Sequence, residues 1–590
     1  MPRGLIRRSF TAAVVGLLAA VALAGPARAE YDSVPTPNVT GPIAVTADSY
    51  PFLATDIDLT RWGYVEQEFF IVGNGYRYDT SGEVGQTATR IETGGPNGNG
   101  TYPFKTRIVV RRPADPAKAN GTVIAEWNNV TATRDIEWNW FGDPEYMLRN
   151  GYTFVGVTAQ NVGLLGLRSF NSERYGDLEG RWDTSMSINP LGTNNPALDD
   201  LSFDIYGAAL KAIRGAGTGE DPLGGIEAET VIASGESQSC TRLATHYNKI
   251  QALHEIADAY LLTVCGSPLR VDRPEKVVRI LTETENRTQR PADTFPDTDS
   301  IRHWEVAGTS HLPRLAWDNA GGLLNRDFLP LTVNCTKFPL SLVQWPFTAN
   351  RAIAGLEEWA TGGEALPIAP RGEYDAQGAL LRNQYGIAEG GIRYPDLTVP
   401  TAVNDGVNSP APAGSLFSAF CGLLGSSTPF DQTTLGGLYT DHGDYVKKYS
   451  QAADRFLGTG FILAEDVPRL KLAARQYPRL RPSQPRLAGL AAKGKRPRLV
   501  WTASEAAGTT FVIERARVQG NKPLSWTTIA ARVTRTNSPF SNARVQLGPQ
   551  PKGIWRYRVQ SSSVIPANNI APAETVVTPF SQASGNVRIR

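Results

Sequence analysis

The stretch VIASGESQSC, residues 231–240, decides the fold. Its first half is apolar and β-branched, which predicts a buried strand from Glu229 to Ser234. A helix is predicted from Thr241 to Ile250. Only a sharp turn fits between the two, and the order strand, turn, helix places that turn at the edge of a sheet.

Ser237 stands in the middle of this turn in a G-x-S-x-S pattern, close to the G-x-S-x-G pattern of an activated serine. Bulky residues two positions away would clash in such a turn. Gly235 and Ser239 are both small, although serine is the less usual choice. The following helix points its N-terminal dipole at a developing oxyanion. The pattern alone also arises by chance, but its context favours Ser237 as a nucleophile and the backbone N–H of Gln238 as an oxyanion donor.

A histidine that acts as general base should follow an acid later in the chain. His311 lies on a loop just beyond a predicted strand that ends in Ala-Gly, and we expect it to be the base. His303 lies inside that strand and is expected to be structural. The other three histidines are expected on the surface or in the core, and they are His246, His254 and His442.

Short apolar strands alternate with helices around the serine, which predicts an α/β fold with a mostly parallel sheet covered on both faces. The other predicted strands cover residues 65–72, 105–110, 121–127, 152–158, 258–264 and 277–282. Predicted helices cover residues 200–214, 352–361 and 445–457, and a further one ends near Gly151. Residues 161–197, rich in Gly, Asn, Ser and Pro, are predicted to be a long irregular segment.

The second oxyanion N–H is expected from the loop that follows the strand at residues 121–127. Glu126 to Val130 occupies that place. We choose Asn129 as the donor.

Together these features resemble a large family of secreted α/β hydrolases that is common among actinobacterial proteins. The resemblance spans about residues 64–457, and the matching stretches are 69–70, 106–113, 121–123, 126–130, 173–176, 202–205, 235–239, 304–309 and 427–430. It implies an α/β-hydrolase fold and hydrolase or esterase activity, without a defined substrate. Cys240 departs from the family, which usually has alanine there, and so does the β region after the matched part.

The acid of this fold lies just past the strand that precedes the histidine strand. Here that strand is residues 277–282, and Glu283 is closest to its end. Glu285 takes the position where the family usually carries an aspartate, so we expect Glu285 to be the acid. Asp293 and Asp297 lie in a Pro- and Thr-rich loop and are weaker candidates.

Residues 1–29 have the pattern of a signal peptide. Three arginines precede an apolar run at residues 12–24, and a small-x-small sequence ends at Ala29. The run is too short to span a bilayer comfortably. We therefore expect cleavage after Ala29, a secreted protein and no transmembrane anchor.

The four cysteines predict two disulfides in an exported protein, with three possible pairings. Cys240 begins the helix after Ser237, and Cys265 lies at the end of the next strand. We therefore expect a Cys240–Cys265 bridge near the serine. A Cys335–Cys421 bridge follows mainly by elimination.

The chain is expected to contain two folded parts. Residues 30–469 form the predicted hydrolase domain, and residues 470–498, rich in Pro, Arg and Lys, form a predicted linker. Residues 499–590 change to a period of two, which predicts a small all-β module. The placement of Trp501, Trp526 and Tyr557 resembles a fibronectin type III sandwich.

A formal net charge of +2 argues against a nucleic-acid-binding protein. The cysteines and histidines lack metal-ligand spacing, and serine chemistry needs no cofactor, so we expect neither a metal nor a cofactor. The favoured function is cleavage of a small or polymeric carboxylic ester. The alternatives are an amidase or peptidase on the same residues, and a non-catalytic binding protein on a hydrolase scaffold. Contact of the C-terminal module with a cell wall or polymer is a further hypothesis.

Overall fold

A computed structural model describes residues 33–185, 199–288, 295–329, 332–412, 416–477, 479–480, 486–493, 496–502, 510–519, 522–534, 543–547, 549–565, 574–577, 581, 583–584 and 587–589. The predicted signal peptide, residues 1–29, and the candidate acid Asp293 lie outside these residues.

The main sheet of the described residues has eleven strands. They are β1 Asn38–Thr40, β2 Tyr64–Asp79, β3 Thr89–Ile91, β4 Thr101–Pro113, β5 Thr122–Trp127, β6 Thr153–Val157, β7 Thr218–Gly219, β8 Thr230–Glu236, β9 Ala259–Thr263, β10 Lys276–Thr282 and β11 Ile301–Val306. Their order is β11-β10-β9-β8-β5-β6-β4-β2-β1-β7, with β3 beside β2. The first six strands in this order run parallel. The pairs β6–β4, β4–β2 and β2–β1 are antiparallel, so the sheet is mixed.

Helices cover both faces of the sheet. The α-helices are α1 Trp138–Gly142, α2 Pro144–Arg149, α3 Asn161–Phe170, α4 Ser172–Tyr175, α5 Ser202–Ile213, α6 Gln238–Thr245, α7 Gln251–His254, α8 Glu283–Thr288, α9 Arg314–Asp327, α10 Pro346–Ala360, α11 Pro395–Thr398, α12 Cys421–Leu424, α13 Gln432–Leu438, α14 His442–Leu457 and α15 Val467–Gln476. In the part of the chain that the structure describes, none of these helices is long and apolar enough to cross a membrane.

Neighbouring residues of the parallel strands face two different cores. Val123 and Val231 belong to a buried cluster that includes α5. Ile124 and Ile232 belong to another that includes α10. The strands are therefore buried on both faces, as hydrophobic runs without alternation predict. This confirms the expected α/β fold.

The segment predicted as irregular, residues 161–197, begins with two helices, α3 and α4. Leu164 and Leu167 are buried in the core, and the N–H of Asn161 donates to Asp199 Oδ1 at 2.9 Å. Tertiary burial therefore outweighs the low helix propensity of Gly and Asn here. The prediction was wrong for residues 161–175.

Two smaller groups of strands follow. β12 Ala402–Asp405 pairs with β13 Ser426–Pro429. The C-terminal strands are β14 Arg486–Lys493, β15 Arg496–Thr502, β16 Thr510–Gln519, β17 Lys522–Thr534, β18 Ala543–Gln546, β19 Gly553–Ile565, β20 Glu574–Val577 and β21 Val587–Ile589. They form two antiparallel sheets, β14-β15-β18 and β17-β16-β19-β20 with β21 beside β19. Trp501 and Phe511 pack edge to face in their shared core, with ring centroids 5.1 Å apart.

Much of the span predicted as a linker, residues 470–498, is regular structure. Helix α15 occupies its first part and buries Leu470 and Ala474 against the larger domain. Arg469 at the same helix donates to Asp143 Oδ2 at 2.6 Å. Strand β14 occupies its later part and pairs with β15. Most described residues of this span therefore belong to α15, β14 or β15. The Pro- and Arg-rich composition predicted a longer linker than the structure shows.

Both expected disulfides are present. Cys240–Cys265 joins α6 to the residues just after β9, with Cα atoms 6.0 Å apart. Cys335–Cys421 joins α12 to the segment that follows α9, with Cα atoms 5.6 Å apart.

The packing of α15 predicts where the larger domain ends. A chain ended after Pro485 should unfold in urea with the same larger-domain stability as the full chain. A chain ended after Arg469 loses the buried side chains of Leu470, Ala474 and Leu480, and should be less stable by about 5 kcal/mol. Equal stability of the two shortened chains would contradict this boundary.

Candidate active site

Ser237 has a strained backbone at the junction of β8 and α6. Its φ is 61° and its ψ is −116°, a conformation that L-residues rarely adopt. Its N–H donates to the carbonyl of Thr263 in β9 at 3.0 Å. Strain of this kind persists where the surrounding structure over-determines it.

The small residues that flank Ser237 have separate roles in the turn. A Cβ atom at Gly235 would lie 3.2 Å from the backbone nitrogen of Cys240, so a side chain there would force α6 away. The hydroxyl of Ser239 donates to the carbonyl of Glu236 at 2.9 Å and accepts from its N–H at 3.1 Å. Ser239 therefore closes the turn with two hydrogen bonds that a glycine could not make.

His311 and Glu285 meet beside this turn. The two side chains and that of Ser237 line the same cavity of about 750 Å³. His311 Nδ1 lies 2.5 Å from Glu285 Oε1. The other carboxylate oxygen of Glu285 accepts from the N–H of Thr282 at 2.9 Å and from its hydroxyl at 2.6 Å. The N–H of His311 donates to Thr284 Oγ1 at 2.9 Å.

The charges of this pair stabilise each other. Burial would raise the pKa of Glu285, but the nearby imidazole and the bonds from Thr282 outweigh it and lower that pKa. Burial would lower the pKa of His311, but the Glu285 carboxylate outweighs it and raises that pKa. The carboxylate is therefore ionised, and the Nδ1 proton of His311 is directed to it, which leaves Nε2 as the basic nitrogen.

The alternative acids are engaged elsewhere. Glu283 Oε1 is ion-paired with Arg382 and lies 3.3 Å from the N–H of Gly406. Asp297 accepts from Arg371 Nη2 at 2.6 Å and from the N–H of His303 at 2.9 Å. Of the described candidates, Glu285 is therefore the acid that meets His311.

The other histidines are buried. His246 Nδ1 lies 3.0 Å from the Tyr260 hydroxyl, and His254 Nε2 lies 3.0 Å from Asp204 Oδ1. The two imidazoles also face each other, with nitrogens 3.3 Å apart. His303 packs against Phe295, and burial lowers its pKa to about 4. His442, at the start of α14, is buried as well.

Asn129 does not present its N–H to the cavity, so its predicted oxyanion role was wrong. That N–H donates to the carbonyl of Ile136 at 2.8 Å in a short antiparallel bridge. The Asn129 side chain instead donates to the carbonyl of Glu236 at 2.8 Å and fastens the loop to the turn. The next N–H, from Val130, donates to Gln238 Oε1 at 3.4 Å, so it is directed to the side chain of the residue after Ser237. No sequence pattern indicates the bridge between Asn129 and Ile136, which moves the candidate donor from Asn129 to Val130.

The loop between β5 and α1, which carries Val130, is anchored by two buried arginines of β4. Arg107 donates to Asp135 at 2.9 Å in this loop and to Glu68 of β2 at 3.2 Å. Arg111 donates to Glu137 at 2.6 Å. Both guanidinium groups are buried, so the loop is tied to the antiparallel part of the sheet.

Sequence reasoning missed a second buried carboxyl at the turn. Glu236 precedes Ser237, and burial raises its pKa to about 8, although the charge of His311 opposes the shift. Thr282 and Thr284 were also missed, and their only sequence signal is the alternation Thr-Glu-Thr-Glu at residues 282–285.

The chain matches one family model, described as an alpha/beta hydrolase domain, over residues 39–471. Among solved structures, esterase Est22 is 14% identical, with 51% of this chain and 81% of that chain covered and a TM-score of 0.24. The rice cell wall degrading esterase LipA from Xanthomonas oryzae is 13% identical, with 39% and 50% covered and a TM-score of 0.20. A structure in a study of two fungal esterases from Rhizomucor miehei is 11% identical, with 50% and 84% covered and a TM-score of 0.23. At these TM-scores the likenesses carry no functional argument. No curated protein matches the chain.

The contact with Glu285 predicts how His311 titrates. Its imidazole should titrate above the ordinary value of about 6.5, and Glu285→Gln should lower its pKa by about 1–3 pH units because the negative charge is lost. NMR of ¹³C-labelled histidine would measure this among the five histidines of the chain. Glu283→Gln is the matched control and should leave the pKa of His311 within a few tenths. An unchanged pKa in Glu285→Gln would contradict the pairing.

Proposed function

The chain belongs to the alpha/beta hydrolase domain family, whose model matches residues 39–471, and from this premise we propose that it is a secreted serine hydrolase that cleaves carboxylic esters. The observation that carries the proposal is the arrangement at the cavity. A strained, half-buried serine, Ser237, shares it with a histidine, His311, whose Nδ1 is held by the buried carboxylate Glu285.

The proposed reaction begins with attack of Ser237 Oγ on the ester carbonyl. His311 Nε2 takes the serine proton and gives it to the departing alkoxide, which leaves an acyl-enzyme. Water, activated by the same imidazole, then attacks the acyl group and releases Ser237 and the carboxylic acid. Glu285 holds the Nδ1 tautomer and stabilises the imidazolium, while it stays ionised.

The proposed oxyanion hole consists of the N–H of Gln238 and the N–H of Val130. The first belongs to the residue after the nucleophile, at the N-terminus of α6, where the helix dipole also favours negative charge. The second replaces the N–H of Asn129, which is engaged with the Ile136 carbonyl, and the substrate oxygen would take the place of Gln238 Oε1 as its acceptor.

Secretion and the C-terminal module belong to the same proposal. The two disulfides support an oxidising location, since such bridges persist outside the reducing cytosol. The two antiparallel sheets after residue 485 support a module of the fibronectin type III kind, because one sheet has three strands and the other is larger, with Trp501 between them.

Replacing Ser237 with Ala should abolish hydrolysis of short-chain p-nitrophenyl esters, with kcat reduced by orders of magnitude. The same variant should no longer react with a fluorophosphonate probe that labels the unmodified protein. Ser267 lines the same cavity, so Ser267→Ala is the matched control and should keep both properties. A Ser237→Ala protein that keeps more than about a tenth of the rate would refute the assignment.

Replacing Glu285 with Gln should lower kcat by about 10³–10⁴-fold, because the imidazolium loses its counter-charge and the tautomer is no longer fixed. Glu283→Gln should cost less than about tenfold. In the unmodified enzyme, kcat/KM should fall as the pH drops through the raised pKa of His311, since the protonated imidazole is not a base. A larger loss in Glu283→Gln would transfer the role to that residue, and two near-normal rates would direct the search to Asp293 or Asp297.

A further inference from the structure

Positive charge is concentrated in the part of the chain after residue 485. Residues 486–590 contain 16 Lys and Arg against three Asp and Glu, a net charge of +13. Residues 1–485 contain 43 basic and 54 acidic residues, a net charge of −11. The total of +2 therefore hides a strong separation of charge along the chain.

The described basic side chains of this module are accessible. Nine are exposed or half-buried, namely Arg496, Arg498, Arg515, Arg517, Lys522, Lys552, Arg556, Arg558 and Arg588. Glu514 is the acid of the module whose side chain is described, and it is ion-paired with Arg558 at 2.6 Å. The local field is therefore that of a polycation, which attracts polyanions over about a Debye length.

Strand register places three of the module's side chains on one face. On β19, Tyr557 and Val559 are buried in the core, so the alternating Arg556 and Arg558 point to the opposite face. Ala516 of β16 pairs with both Arg556 and Trp526. Trp526, Arg556 and Arg558 thus share the side of the larger sheet that faces away from the core, and we call them the outer face. Glu514, the cross-strand partner of Arg558, lies on the same side.

The outer face combines a flat aromatic ring with guanidinium groups. The guanidinium carbon of Arg558 lies 4.3 Å from the ring centroid of Trp526, and both side chains are half-buried. An indole ring packs well on the apolar C–H face of a pyranose, and a guanidinium matches a carboxylate in bidentate geometry. A polymer of sugar rings that each carry a carboxylate presents both groups at a regular spacing.

We propose that the outer face binds an anionic polysaccharide built from uronic acid units. Charge complementarity gives the affinity, and packing of a sugar ring against Trp526 adds a contact that a polyanion without rings cannot make. This surface shares no residue with the cavity around Ser237, so the proposal stands apart from ester hydrolysis.

The test measures the affinity of the full-length protein for polygalacturonate, which carries no ester for the proposed hydrolytic site to cleave. Affinity electrophoresis in 50 mM and 300 mM salt gives Kd, with dextran as the neutral polymer. Arg556→Gln combined with Arg558→Gln should weaken binding by about tenfold, as expected for two exposed ion pairs. Trp526→Ala should weaken it by about as much, while dextran should show no binding.

The matched control is Arg496→Gln combined with Arg498→Gln. It removes the same charge from exposed positions on β15 of the smaller sheet, and it should weaken binding less than twofold. Arg556→Lys combined with Arg558→Lys keeps the charge and should give an intermediate loss of affinity. This pair replaces the Gln pair in the test if the Gln pair does not fold. Equal losses in the two Gln pairs, or no binding at 50 mM salt, would overturn the proposal. Tighter binding to duplex DNA or to phosphatidylglycerol vesicles would also overturn it, in favour of another polyanion.

Discussion

The strained backbone of Ser237 is the constraint on which the rest of the larger domain depends. A non-glycine residue at φ 61° costs about 1–3 kcal/mol, which the neighbouring contacts must offset. Those contacts come from three directions. Thr263 holds the N–H from the adjacent strand, Asn129 holds the preceding carbonyl from the other side, and the Cys240–Cys265 bridge fixes the start of α6. These contacts hold the backbone around Ser237, and they place its side chain at the end of the parallel strands.

The position of Glu285 beside His311 follows from the order of the parallel strands. β10 lies between β9 and β11, so the residue just past its end is next to the loop that follows β11. That neighbourhood brings Glu285 to His311 although 26 residues separate them in sequence. Thr282 then selects the carboxylate orientation, because it donates two hydrogen bonds to the oxygen that does not face the imidazole.

Sequence patterns correctly predict those features that strand order and local sterics determine. They fail for segments whose structure depends on contacts with residues distant in sequence. The turn at Ser237, the position of His311 and the bridge between Cys240 and Cys265 all follow from residues near the ends of adjacent strands. Helices α3 and α15 were missed, because Gly, Asn and Pro lower local propensity while burial against remote segments restores the helix. The prediction for Asn129 failed for the same reason. Its N–H is used in the bridge to Ile136, so the candidate donor is one residue further along the chain.

The two arginines beneath the oxyanion loop have a consequence for how this site can change during evolution. Arg107 and Arg111 are buried with the carboxylates that they bind, so loss of either arginine leaves a buried carboxylate of the loop without its counter-charge and costs about 3–5 kcal/mol. Replacing both partners together by apolar groups of similar volume carries no such penalty. Substitutions at these positions are therefore tolerated as pairs, and the loop should vary in concert with strands β2 and β4. Elsewhere on the cavity wall, Thr241 and Thr245 of α6 donate to backbone carbonyls within their own helix and not to a buried ion, so these two positions can diversify one at a time.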